Sequence, residues 1–92
     1  MDYIIRVELH GASYAQYEKL HAVLATKGVT NFIIGTDRVR YRLPPAEYSY
    51  QGNENPAQVL AAVTELAATV LPNPAVVVTE WKACTWRGLQ AA

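Results

Sequence analysis

Three of the chain's five arginines lie within five residues: Arg38, Arg40 and Arg42. They alternate with the apolar side chains of Val39, Tyr41 and Leu43. Because successive side chains of a strand point to opposite faces, the segment predicts a short strand with one apolar face and one face of guanidinium groups. Guanidinium groups bind phosphate through paired hydrogen bonds, so the pattern favours an anionic partner. Ordinary solvent-facing arginines, or salt bridges in an interface, are the alternatives.

A further arginine, Arg6, lies on the predicted first strand, over residues Tyr3–Leu9. There the apolar side chains alternate with Arg6, Glu8 and His10, which should share the opposite face. If the arginine strand lies beside this first strand, Arg6 joins the three clustered arginines in one basic patch. Cationic groups on a sheet suit the phosphates of a nucleic acid, and we therefore predict an RNA-binding surface.

The chain's two histidines are the candidate catalytic groups, because imidazole can take up and release a proton near neutral pH. His10 precedes a glycine at the end of the first strand, and His21 lies on the apolar stripe of the first helix. A loop histidine without a role and a packed histidine are the respective alternatives. No carboxylate or cysteine stands at metal-ligand spacing from them, so no metal or cofactor is predicted.

The composition suits one domain over residues 1–92, with 51% hydrophobic and 17% charged residues. Eight basic and eight acidic residues balance, so an anionic partner would have to be held by local clustering. Cys84 is the only cysteine, which excludes an internal disulfide, and we expect no disulfide-linked partner. The longest low-charge stretch, residues 56–78, is broken by Glu65 and two prolines. We expect no membrane span, no targeting segment and a cytoplasmic location.

The first half of the chain predicts a strand, a helix and a hairpin. Ser13 and Gln16 form the pattern of a capping box at the start of a helix that runs to Lys27. A β-branched run predicts a second strand over Val29–Ile34, and the turn residues at 35–37 lead into the arginine strand, Arg38–Leu43. Two prolines then interrupt the ladder, and residues 47–51 are predicted to continue the same strand.

The second half predicts one more helix and one more long strand. Asn55 and Pro56 suit the start of a helix over Ala57–Leu71, which is apolar nearly all round and is expected to be well buried or packed on two sides. A strand follows over Ala75–Trp81, and Thr85–Arg87 is a candidate short last strand. The order predicts an α+β, ferredoxin-like βαββαβ sandwich with sheet order 4-1-3-2, two helices on one face and the other face open. A small α+β sheet with another strand order is the competing arrangement.

Most of the chain resembles the GhoS-type antitoxin endoribonucleases, a family of small proteobacterial proteins. The resemblance rests on Ile5–His10, Tyr17–His21, Tyr41–Tyr48, Val78–Glu80 and Thr85–Leu89. It implies a ferredoxin-like fold similar to that of the small CRISPR-associated nuclease of spacer acquisition. It also implies cleavage of the messenger RNA of a small membrane toxin. The family uses an arginine on the first helix, and Lys19 and His21 are the nearest equivalents in this chain.

Two functions therefore remain open. In the first, the protein binds RNA through Arg6, Lys19, Arg38, Arg40 and Arg42 and is a metal-independent endoribonuclease antitoxin that uses His10 or His21 for proton transfer. In the second, it is a non-enzymatic ferredoxin-like module that forms a homodimer or binds a protein partner. The absence of a catalytic signature and the aromatic C-terminal turn favour the second.

Overall fold

The computed structural model describes residues 1–92 and confirms an α+β, ferredoxin-like fold. Its elements are β1 (Asp2–Glu8), α1 (Tyr14–Ala25), β2 (Phe32–Ile34), β3 (Arg40–Arg42), β4 (Glu47–Gln51), α2 (Pro56–Ala68) and β5 (Ala75–Trp81). Neither helix has the length and hydropathy needed to span a membrane.

The centre of the fold is a three-stranded antiparallel sheet in the order β4-β1-β5. Alternation in β1 confirms the predicted phase, since Tyr3, Ile5 and Val7 are fully buried while Arg6 and Glu8 are exposed. Both helices cover the face that carries the buried residues. Arg6 therefore lies on the face that the helices leave open.

A single bridge extends this sheet through β2. Thr30 and Ser49 exchange two backbone hydrogen bonds of 3.0 and 2.8 Å, which joins the start of the β2 segment to β4. The next residue, Asn31, bends and accepts a 2.9 Å bond from the backbone N–H of Leu43. The hairpin of β2 and β3 forms a second, two-stranded sheet, and this bridge sets it beside β4.

The predicted place of the arginine strand beside β1 is therefore wrong. β4 occupies that position and pairs with β1 from Asp2↔Gln51 to Arg6↔Glu47. β4 is a separate strand and does not continue β3. Two prolines that cannot donate to a ladder and Ala46 at φ 67° turn the chain between them. The order β5-β1-β4 corresponds to 4-1-3 of the predicted order, with β4 in the third place, and β2 adjoins β4 only through the Thr30–Ser49 bridge.

The arginine strand is also shorter than predicted, because the turn before it is longer. The backbone of Val39 donates to Asp37 Oδ1 at 3.0 Å, and its carbonyl accepts from the Gly35 N–H at 2.9 Å. Arg38 lies inside this turn at φ 64°, in the left-handed region. Only Arg40 and Arg42 belong to the strand, so the row of three guanidinium groups is reduced to two.

Both helices begin as predicted and end early. The capping boxes of Ser13 with Gln16 and of Asn55 with Gln58 are formed, but α1 ends at Ala25 and α2 at Ala68. The helix α2 is packed on one side only, because its buried residues are Val59, Val63 and Ala67 while Leu60 is exposed. The many alanines make the sequence of α2 apolar on every side, but only one side of the helix is buried.

One hydrophobic core lies between the helices and the sheet. Its eleven members are Tyr3, Ile5, Val7, Leu9, Leu20, Leu24, Val29, Tyr48, Val59, Val63 and Ala67.

The segment after β5 does not form the predicted strand at residues 85–87. It crosses to the far edge of the sheet instead, where Ala91 bridges Tyr41 of β3. Two backbone hydrogen bonds flank this bridge, from Arg42 N–H to Gln90 O at 2.9 Å and from Ala92 N–H to Arg40 O at 2.8 Å. The outer edge of β3 is therefore covered by the chain itself.

Candidate functional site

The largest concave surface, which we call the α1 cleft, lies between α1 and the loop that joins β3 to β4. Its volume is about 530 Å³. The α1 side is formed by Tyr14, Tyr17, Glu18 and His21, and the opposite side by Asn31 and residues 42–47. Two of the predicted site residues, His21 and Arg42, thus line one cavity although they belong to different elements.

The ring of His21 is held by the buried hydroxyl of Tyr48. The His21 Nδ1 lies 2.8 Å from Tyr48 Oη, and the two rings are 5.6 Å apart. Burial raises the pKa of Tyr48 above its ordinary value, so the phenol keeps its proton at neutral pH. This contact fixes the orientation of the imidazole at one nitrogen, as a general acid or base requires. The His21 ring is half-buried at the cleft, which is also consistent with the alternative of a packed histidine.

Charged groups lie at the mouth of the cleft. The Tyr14 side chain is 81% exposed, and its pKa is raised by the neighbouring Glu18 carboxylate and lowered to a lesser degree by Arg42. Both charges therefore act at the Tyr14 hydroxyl. An exposed ring beside a guanidinium group can stack on a ligand whose charge the arginine neutralises.

The arginine face of β3 continues outward from this cleft. Arg42 pairs opposite Phe32 and Arg40 opposite Ile34, so these four side chains share one face of the hairpin. The Arg40 guanidinium carbon lies 4.1 Å from the centre of the Phe32 ring, in cation–π geometry. No carboxylate lies within 4.0 Å of either arginine, because the protein's two ion pairs involve other residues. We call Phe32, Arg40 and Arg42 the arginine face.

The other predicted RNA-binding residues lie away from this face. Arg6 pairs with Glu47 on one side and Val77 on the other, on the open face of the central sheet. Arg38 lies in the hairpin turn, and Lys19 is exposed on α1 but does not line the cleft. The single basic patch predicted from the sequence is therefore divided among separate surfaces.

His10 lies outside the cleft. It is exposed at the end of β1, with its Nδ1 3.6 Å from the carboxylate of Glu8. The structure thus separates the two histidines by environment, since only His21 has a fixed ring and shares a cavity with an arginine.

Sequence reasoning missed two aromatic groups of the site. The phase of the arginine strand placed Tyr41 on the opposite face, which is where the structure has it, against Trp86 at 5.6 Å between ring centres. The ring on the arginine face comes from the partner strand, at Phe32. Its pairing with Arg42 depends on the hairpin register, and Tyr14 lies at the start of α1, at the mouth of the cleft. Only the length of the turn, which Asp37 closes, could have given that register.

A second polar cluster joins the far end of α1 to the loop before α2. Lys27 Nζ lies 2.5 Å from Glu54 Oε2, and the Tyr50 hydroxyl donates to Glu54 Oε1 at 2.8 Å. These bonds lower the pKa of Glu54 to about 2. The Tyr3 hydroxyl donates to the Glu54 carbonyl at 2.5 Å. The cluster satisfies its own polar groups, so its role is structural, and no local pattern in the sequence predicts it.

The acids, histidines and cysteine do not converge on a metal-binding geometry, since no group of three of them lies close enough to hold an ion. Burial raises the pKa of the Cys84 thiol, which disfavours the reactive thiolate. Comparisons of the chain with family models, curated proteins and solved structures gave no match.

Proposed function

We propose that the protein binds single-stranded RNA along the arginine face and into the α1 cleft. The observation that carries the proposal is a pair of arginines without an internal carboxylate partner, set beside an aromatic ring. In a chain with equal numbers of acidic and basic residues, such uncompensated charge is local and specific. Backbone phosphates supply the complementary charge, and bases can stack on exposed rings.

The parts of the RNA correspond to named side chains. Arg40 and Arg42 hold successive phosphates, since a guanidinium group donates two parallel hydrogen bonds to one phosphate. Phe32 and Tyr14 offer ring surfaces to the bases between them. The cleft of about 530 Å³ is large enough for one unstacked nucleotide, and a duplex would not present such a base. This geometry favours single-stranded over double-stranded RNA.

The resemblance to antitoxin endoribonucleases extends the proposal to cleavage of a toxin messenger RNA. In this scheme the His21 Nδ1–H donates to Tyr48 Oη, so Nε2 accepts the proton of a ribose 2′ hydroxyl, and the 2′ oxygen forms a bond to the adjacent phosphorus. The bond from phosphorus to the 5′ oxygen breaks, and a proton from water completes the 5′ hydroxyl. Arg42 stabilises the charge that develops on the phosphate oxygens. The products are a 2′,3′-cyclic phosphate end and a 5′ hydroxyl end.

The first experiment is a fluorescence-anisotropy titration of a labelled RNA of about 12 nucleotides, at about 50 and 200 mM salt. We expect affinity to fall steeply with salt. Arg42→Ala should weaken binding and lower the slope of log affinity against log salt by about 0.7, the value for one phosphate contact on a single strand. Arg87→Ala removes the same charge from the C-terminal segment and serves as the matched control. Equal effects of the two variants, or salt-independent binding, would remove the basis of the proposal.

Cleavage is measured separately from binding. The same RNA and an all-2′-deoxy version are incubated with the protein and resolved by electrophoresis. We expect shortened products with cyclic phosphate ends from RNA only, since the deoxy strand lacks the attacking hydroxyl. Binding without products would retain the RNA-binding function and overturn the enzymatic step.

The second candidate function is a non-enzymatic module that self-associates or binds a protein partner. It is favoured by an apolar side chain on the open sheet face, Val77, which is 60% exposed between exposed Ala75 and Thr79. A partner that covered this face would bury Val77. The RNA titration distinguishes the candidates, because a module that binds only protein should show no salt-dependent affinity for RNA at low salt.

A further inference from the structure

One edge of the sheet carries no partner, and it belongs to the longest strand. β5 has seven residues and pairs only with β1, from Asp2↔Trp81 to Glu8↔Ala75. No backbone hydrogen bond outside the ladders involves residues 75–81. Half of the strand's N–H and C=O groups therefore point away from the sheet without a protein partner.

The strand has few of the features that protect an exposed edge, and Glu80 is its only charge. It contains no lysine, arginine or proline, and its residues pair with β1 in an unbroken register without a bulge. Its centre is Val76-Val77-Val78, a β-branched run, with Val77 60% exposed. An edge that is long, regular and apolar pairs with a further strand unless something prevents it.

We propose that β5 pairs antiparallel with β5 of a second copy of this chain, about a twofold axis at Val78, to form one continuous sheet. The proposal does not depend on RNA binding.

The sequence of β5 is self-complementary in this register. Val78 faces its own copy, and Val77 faces Thr79 on the open side of the sheet. Trp81 lies opposite the small Ala75 of the copy in this register. Glu80, the only charged residue of the strand, lies opposite Val76 of the copy and not opposite another carboxylate. A twofold interface requires such self-complementarity, because the same surface serves both partners.

The other edge of the sheet explains why the assembly stops at two chains. The outer edge of β3 already bonds to Gln90 and Ala92, so it offers no ladder to a further copy. With one open edge per chain, pairing closes after a single step. An assembly with two open edges would instead form filaments.

The test is size-exclusion chromatography with light scattering over micromolar to submillimolar concentrations, on the RNA-free protein. We expect a mass of twice 10.2 kDa at the upper end of the range. Val77→Lys places a charge on the edge strand and should raise the dissociation constant of the dimer by roughly tenfold or more. Ile34→Lys is the matched control, since Ile34 is equally exposed, at 60%, on the distant hairpin.

Hydrogen exchange identifies the edge that is used. Alternate backbone amides within residues 75–81 should gain protection as the concentration rises, and those of β3 should not change. Thr79→Lys is a second variant in the event that Val77→Lys fails to fold, which circular dichroism would reveal. A monomer at every concentration, a polydisperse assembly, or a dimer without added protection in β5 would overturn the proposal.

Discussion

The central sheet and the β2-β3 hairpin are built from similar sequence patterns and yet differ in what they do. In the central sheet, β1 alternates a fully buried face with an exposed one and is paired along its length on both sides. In the hairpin, two strands of three residues pair only with each other and with a few backbone groups. Their one well-buried side chain is Ile33, and both arginines are exposed.

The comparison indicates that the buried core and the arginines without a carboxylate partner are located in different parts of the molecule. Buried apolar area stabilises the central sheet and the helices. The hairpin carries little of this area, so its exposed face can hold uncompensated cations at low cost to folding. Substitutions in the two regions should therefore produce different kinds of loss.

The largest effect is expected at His21. His21→Gln removes the proposed general base and should lower the rate of the proposed RNA cleavage by about 10²- to 10⁴-fold, with little change in affinity. His10→Gln is the matched control and should leave the rate unchanged, because His10 lies outside the cleft. Rates are measured under single-turnover conditions. If both variants cleaved at the wild-type rate, His21 would be a packed histidine, and a loss at His10 alone would place the site elsewhere.

In the core, Leu24→Ala should lower the free energy of unfolding by about 2–5 kcal/mol, since Leu24 is fully buried between α1 and the sheet. Ile34→Ala, on the hairpin, should change it by no more than about 0.5 kcal/mol, because Ile34 is 60% exposed. Urea denaturation measures both values. Equal losses would show that the hairpin is as deeply integrated as the core.

Phe32 is expected to contribute to RNA affinity through stacking. Phe32→Leu keeps an apolar side chain but removes the ring, and should weaken RNA binding by about 1–3 kcal/mol. Phe32→Tyr retains the ring and should keep the wild-type affinity. If the side chain only packed in the hairpin, the apolar leucine variant should also bind RNA with nearly wild-type affinity. Anisotropy titrations at constant salt compare the three proteins. Wild-type affinity in the leucine variant would exclude stacking at this position.

Local patterns in the sequence predicted the central region well. The alternation of β1, the capping box of α1, the start of α2 at Asn55 and Pro56 and the bounds of β5 depend on neighbouring residues, and all are confirmed. The position of the arginine strand depends on which distant strand it meets, and a periodic pattern carries no such information. The turn closed by Asp37 precedes that strand and Pro44 and Pro45 end it, so it pairs with β2 and not with β1. The α1 cleft could not be predicted for the same reason, because its two sides meet only through this rearrangement.

The smallest effect concerns the cluster around Glu54. Its folded-state pKa of about 2 lies below the ordinary value of 4.5, so the carboxylate stabilises the fold above about pH 4.5. This contribution is lost as the pH falls toward 2. The midpoint of urea denaturation should therefore decrease between pH 5 and pH 2, and Glu54→Gln should flatten that decrease. A variant with the same pH dependence as the wild type would show that other carboxylates determine acid stability.

The most direct measurement of the central claim compares two double variants that remove equal charge. Arg40→Ala/Arg42→Ala empties the arginine face, and Arg6→Ala/Arg87→Ala removes two arginines from other surfaces. RNA affinity is measured for both from about 50 to 200 mM salt. The first variant should lower the salt slope by about 1.4, the value for two phosphate contacts on a single strand, and the second should retain the wild-type slope. Equal slopes in the two variants, or a larger loss in the second, would contradict the assignment of RNA binding to the arginine face.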